Sequence, residues 1–169
     1  MQGRLFRFIS FWMFPLVSGF ALANPLSPET TSVQSVHAGF KHEAIYGLCV
    51  SESEAIAVGE AGLILLSSDS GNTWVESERF TEVALLDVEC GSGIELYVGQ
   101  SGQMYQRTDG SVEALSTGSD ARLMSVAHSQ ENGLTVAVGA FGTILVSTDG
   151  GGSWTSSAVD WFAVLDDYV

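Results

Sequence analysis

Three stretches of this 169-residue chain align with one another, without a gap, at a spacing of 40: AVGEAGLILLSSDSGNTW (57–74), YVGQSGQMYQRTDGSVEA (97–114) and AVGAFGTILVSTDGGGSW (137–154). Their first glycines are Gly59, Gly99 and Gly139, and their second are Gly62, Gly102 and Gly142. An aspartate follows ten residues after each first glycine, at Asp69, Asp109 and Asp149. A fixed period of this length constrains the fold more than local propensity does, because each unit must bury its apolar face on a neighbour.

Each unit opens with a short apolar run, IYGLCV (45–50), LLDVEC (85–90) or LMSVAH (123–128). A second run ends in each Val-Gly, a third follows the second glycine, and a weaker fourth begins near Trp74, Val112 or Trp154. Runs of four to six residues bounded by Gly, Ser and Asp suit strands and are too short for packed helices. Four strands in forty residues describe one blade of a β-propeller. The sequence therefore predicts an all-β partial propeller over 45–169, with blades at about 45–84, 85–121 and 122–160. Closed propellers need four to eight blades, and a fourth Val-Gly would fall beyond residue 169. The expectation is a truncated chain or an obligate oligomer that self-associates through open blade faces.

Between the third and fourth strands of the first unit lies SSDSGNTW (67–74), where a hairpin must reverse. Asp69 can fold its carboxylate onto the following backbone N–H groups, Gly71 can take a positive φ, and Trp74 can anchor the turn with a buried ring. Ser67-x-Asp69-x-Gly71-x-Thr73-Trp74 resembles the Asp-box, or bacterial neuraminidase repeat, and Ser147-x-Asp149-x-Gly151-x-Ser153-Trp154 matches with Ser for Thr. The middle copy keeps Asp109 but has Arg107 in place of Ser and Glu113-Ala114 in place of Thr-Trp, so its hairpin is expected to be the loosest. In Asp-box families the motif lies at the blade periphery, which implies a structural role for these residues. The wider unit, Val-Gly-x-x-Gly-x-Ile-Leu-x-Ser-x-Asp-Gly-Gly-x-Trp, resembles the repeats of photosystem II stability/assembly factors over about residues 45–155. That resemblance implies an exported propeller that holds a protein client, and the client of photosynthetic members is a newly made membrane protein.

At the N-terminus, Arg4 and Arg7 precede an apolar run that ends in Ala21-Leu22-Ala23, the pattern of a signal peptide over 1–23. The run is short for a membrane span and is broken by Pro15, Ser18 and Gly19, so export to the periplasm or exterior is expected. Residues 24–44, with Pro25, Pro28 and a Ser/Thr cluster, read as a leader. Cleavage would leave Lys41, Arg79, Arg107 and Arg122 against 20 acids, a net charge of −16, which excludes a nucleic-acid partner.

Catalytic and cofactor constellations are not evident. A sialidase-type glycoside hydrolase, the alternative raised by the Asp-boxes, would need an arginine triad with a tyrosine nucleophile, and Arg79, Arg107 and Arg122 sit in no such motif. The acids at Glu52/Glu54, Glu76/Glu78 and Asp166-Asp167 read as solvated loop charges. Each Asp turn carries one carboxylate rather than an alternating calcium set, and no zinc spacing links His37, His42, His128, Cys49 and Cys90. No cofactor, metal or small-molecule substrate is expected. Aligning Leu48 with Val88 and Val126 sets Cys49 opposite Glu89 and Cys90 opposite Val50, on opposite faces of equivalent strands. Sheets pack about 10 Å apart and a disulfide wants Cα atoms within about 7 Å, so buried free thiols are expected unless the strands approach closely near the propeller axis.

Overall fold

A computed structural model describes residues 43–157, apart from 53 and 92. The expected signal peptide, nearly all of the leader and the C-terminal tail lie outside the described residues. Three antiparallel four-stranded sheets follow one another along the chain. The first comprises β1 (Ile45–Ser51), β2 (Glu54–Gly59), β3 (Ile64–Ser67) and β4 (Val75–Glu76). The second comprises β5 (Leu85–Gly91), β6 (Ile94–Gly99), β7 (Met104–Thr108) and β8 (Ser111–Leu115). The third comprises β9 (Leu123–Ser129), β10 (Leu134–Gly139), β11 (Ile144–Ser147) and β12 (Thr155–Ser156). In each sheet the strands pair in sequence order, so every connection is a hairpin, and the whole is a partial β-propeller.

The inner strands β1, β5 and β9 pack one against the next, and each breaks register once, beside Tyr46, Leu86 or Met124. Such bulges increase local twist and let an inner strand curve along the axis. The core lies between sheets rather than within any one of them. Ile56, Val58 and Ile64 of the first blade meet Leu85, Val88 and Tyr97 of the second. Leu96, Val98 and Met104 of the second meet Leu123, Val126, Ala137 and Leu145 of the third, with Trp154 packed beside them. Central strands covered on both faces need near-continuous apolar sequence, which is why β2 and β6 read AIAV and ELYV rather than alternating.

Two expectations are corrected. Cys49 and Cys90 are not free thiols but a disulfide, with Cα atoms 5.8 Å apart, joining β1 to β5. Opposite faces of equivalent strands in consecutive blades face each other, so the register that argued against the bridge favours it. Gly47 makes the necessary approach possible, since a Cβ placed there would stand 2.6 Å from the Cα of Asp87. The middle hairpin is also not the loosest. Asp109 (φ 50°) and Gly110 (φ 80°) form a two-residue turn whose left-handed pair matches strand twist, and β7 and β8 pair over five positions, against two for the outer strands of the other blades.

The disulfide closes a 41-residue separation, and loop-entropy reasoning gives it about 4 kcal/mol of stabilisation. Reduction, or Cys49→Ser, is expected to lower the thermal midpoint by more than about 10 °C in calorimetry. An unchanged midpoint would mean that β1 and β5 are held without it.

Candidate functional site

The repeated glycines lie at the turn between the second and third strands of each blade. Gly59, Gly99 and Gly139 are extended and are required by proximity: a Cβ on them would meet the carbonyl oxygens of Ala44, Ala84 and Arg122 at 2.0, 2.4 and 2.2 Å. The next amides donate to those same carbonyls, Glu60 to Ala44, Gln100 to Ala84 and Ala140 to Arg122, at 2.9, 3.2 and 2.8 Å. Gly62, Gly102 and Gly142 have φ near +70°. A Cβ on Gly62 or Gly102 would stand 1.9 Å from Thr81 O or 1.6 Å from Ser119 O, on the linker leaving that blade. One turn thus holds the chain entering its blade and the chain leaving it.

Asp69 and Asp149 close the hairpins between third and fourth strands. Asp69 Oδ1 accepts from Ser67 Oγ at 2.9 Å and Thr73 N at 2.8 Å, and Oδ2 accepts from Thr73 Oγ1 at 2.7 Å. Ser67 Oγ accepts from Gly71 N, and Trp74 Nε1 donates to Gly71 O at 3.1 Å. Asp149 repeats the set with Ser147, Ser153, Gly151 and Trp154. Hydrogen bonds from Thr73 hold the Asp69 carboxyl below its ordinary range, and those from Ser153 and Ser147 bring Asp149 down to about 2. A carboxylate whose acceptor sites are taken up within its own turn is poorly placed for proton transfer to a substrate.

Asp109 makes no such closure, and Arg107, at the serine position of that copy, turns to other work. Its guanidinium lies 3.3 Å from Glu95 and 5.6 and 5.5 Å from the ring centres of Phe80 and Tyr97. The Tyr97 hydroxyl donates to the same Glu95 carboxylate, and burial followed by that hydrogen bond pushes its phenol well above the usual range. Phe80 meets Tyr97 edge-on at 5.2 Å and Tyr105 at 4.9 Å. On one side lies a cavity of about 190 Å³ lined by Ile56, Cys90, Ile94, Glu95, Arg107 and Asp109. A groove of about 320 Å³ reaches Arg107 past Arg79, Phe80 and Val112. Arg79 is itself paired with Glu76 at 2.6 Å and Glu43 at 3.3 Å, so the groove is charge-balanced rather than basic.

Sequence reasoning singled out the turns and not this cleft between the first and second blades. The signal lay in how the copies differ: Tyr97 and Tyr105 stand where the other copies have Ala57/Ala137 and Leu65/Leu145, and Arg107 stands where they have Ser67 and Ser147. Among the described residues no group of three or more His, Cys, Asp or Glu side chains could hold a metal ion, and no helix is long and apolar enough to cross a membrane.

No family model and no curated protein matches the chain. Solved structures do. YCF48 from Cyanidioschyzon merolae superposes with a TM-score of 0.61 at 22% identity over 75% of this chain and 41% of its own. A YCF48 bound to a D1 peptide gives 0.57 at 18% over 74% and 42%. The GH74 xyloglucanase from Xanthomonas campestris gives 0.54 at 17% over 66% and 20%. At these identities the likeness establishes the propeller fold. This chain spans about two fifths of the YCF48 chains.

A carboxyl whose pKa falls on folding contributes its stabilisation above the unfolded value, near 3.9, and loses it as pH drops through the folded value. Asp149→Asn is therefore expected to lower the thermal midpoint by a few degrees at pH 7, with the deficit shrinking from pH 4 towards pH 2. A deficit independent of pH would exclude the carboxylate as its origin. Gly102→Ala, at a clamped position, should cost at least twice the roughly 1–2 kcal/mol expected of Gly110→Ala, which has positive φ but open space around it.

Proposed function

We propose that the chain is a non-enzymatic, exported β-propeller that binds an extended segment of a protein client in the cleft between its first two blades. The observation that carries this reading is the Arg107 guanidinium stacked with Phe80 and Tyr97 between two open cavities. A planar cation backed by aromatic rings presents donors and an apolar wall together, a combination enriched where proteins grip peptides. The sequence resemblance to photosystem II stability/assembly factors and the fold likeness to a YCF48 bound to a D1 peptide support a client that is a membrane protein. The Cys49–Cys90 disulfide and the signal-like residues 1–23 support export into an oxidising compartment. The Asp-box resemblance and the fold likeness to a GH74 xyloglucanase favour, as the second reading, a glycoside hydrolase or glycan-binding fragment.

Calorimetric titration of the purified chain with synthetic loop and terminal segments of membrane proteins, a D1 peptide among them, separates the two. The expected result is binding of a subset with Kd on the order of micromolar. Arg107→Ala should weaken the same peptides at least tenfold while remaining folded by circular dichroism. Fluorogenic sialosides and xyloglucan should show no turnover above blank. Equal peptide affinity in Arg107→Ala, no peptide bound, or turnover would refute the proposal.

A further inference from the structure

Glu95 and Arg107 face each other in register across β6 and β7. Their ion pair is largely withdrawn from solvent, the Glu95 side chain being 29% and the Arg107 side chain 15% exposed. Glu95 Oε2 accepts from Arg107 Nη1 at 3.3 Å and also from the hydroxyl of Tyr97, two residues along β6, so one oxygen holds both the cation and the phenol beside it. The rings of Phe80 and Tyr97 back the guanidinium, and a pair with so little water around it is weakly screened. The Arg107 charge is therefore met before any client arrives. Arg79, the other cation of the cleft, is met twice, by Glu43 and Glu76. Among the described residues, Glu54 and Asp109 in the cavity and Glu78 in the groove have no cation within ion-pair distance.

On the reading of this cleft as the client's peptide site, we propose that Glu95 determines its specificity, so that the cleft takes internal, neutral or basic segments and turns away acidic segments and C-terminal carboxylates. A guanidinium has five N–H donors, and the ion pair occupies Nη1, so a paired Arg107 keeps donors for neutral backbone carbonyls of an extended segment. A client carboxylate would have to displace Glu95 or share the cation with it. Displacement leaves the Glu95 carboxylate without its counter-charge in a site with little water, a cost that the new pair does not recover. Sharing sets two like charges side by side on one guanidinium. Glu54, Asp109 and Glu78 add to that repulsion and favour lysine or arginine side chains at the rim. The aliphatic stems of such side chains suit the walls supplied by Ile56, Ile94 and Val112.

The probes are the tightest-binding peptide of the calorimetric series, capped by acetyl and amide groups, and its variants with Lys, Gln or Glu at one central position. The unmodified chain is expected to bind the Lys variant at least about tenfold more tightly than the Glu variant, with Gln between them, and to lose affinity when the amide cap becomes a free carboxylate. Glu95→Gln keeps an acceptor oxygen for Tyr97 and Arg107 but removes the charge. It is expected to hold the affinity of the Gln peptide within about twofold and to bring the Glu variant level with the Lys variant or ahead of it. Arg107→Gln does the reverse, leaving Glu95 unpaired, and should widen the preference for Lys over Glu even as every peptide binds more weakly. A purely structural role for Glu95 would weaken all peptides alike and leave their ratio unchanged. Equal binding of the Lys and Glu variants by the unmodified chain, an unchanged ratio in folded Glu95→Gln, or an unchanged or narrowed one in Arg107→Gln would overturn the proposal. Binding of no peptide at all would instead overturn the reading of the cleft itself, and the role of Glu95 with it.

Discussion

Everything in this fold hangs on the close backbone approach at the paired glycines. The first of each pair admits the carbonyl that precedes an inner strand, and the second, at Gly62 and Gly102, admits the linker that leads to the next blade. These are contacts between main chains, with no room for a side chain, so they fix where a blade starts and ends whatever its other residues are. With the ends fixed, strand pairing follows from hairpin geometry, and Ile56 and Val58 of β2, Leu96, Tyr97 and Val98 of β6 and Ala137 of β10 fall between neighbouring sheets, where burial supplies most of the stabilisation.

That division of labour explains how the second blade can abandon the Asp turn. With Asp109-Gly110 reversing the chain in two residues, no serine or tryptophan is required at positions 107 and 114. Arg107 is then available to Glu95, Phe80 and Tyr97, and the first blade interface acquires a cleft backed by aromatic rings. The interfaces also differ near the axis. At one of them Gly47 permits the approach that joins Cys49 to Cys90. At the other, Asp87 stands where Gly47 does and accepts from Ser125 Oγ at 2.7 Å and Val126 N at 3.0 Å, while Glu89 and His128 take the cysteine positions. Burial, then the neighbouring Asp87, raises the Glu89 carboxyl, and His128 draws it back down. Equivalent positions thus carry covalent, hydrogen-bonded and electrostatic ties in turn.

Much of this was legible in the residues. The 40-residue period gave the blades and placed their strands to within a residue or two, because glycines and turn aspartates mark positions where geometry leaves few choices. The disulfide was not legible, since alignment reports which face a residue takes but not how near two blades come at the axis, a distance set by the missing side chain of Gly47. The middle hairpin was misjudged for a related reason: a degenerate motif was read as a weakened turn, although Asp109-Gly110 is itself a turn of another type. The cleft emerges only when the copies are read for their differences, at Tyr97, Tyr105 and Arg107, rather than for what they share.

The central claim, that main-chain contact at the paired glycines holds each blade, is tested most directly by native-state amide hydrogen exchange. The account predicts that the amides of Glu60, Gln100 and Ala140, which donate to the carbonyls of Ala44, Ala84 and Arg122, exchange as slowly as those of the buried strands beside them. Exchange of these three at the rate of an exposed turn amide such as Ser70 would show that the turns ride on the sheets rather than fasten them.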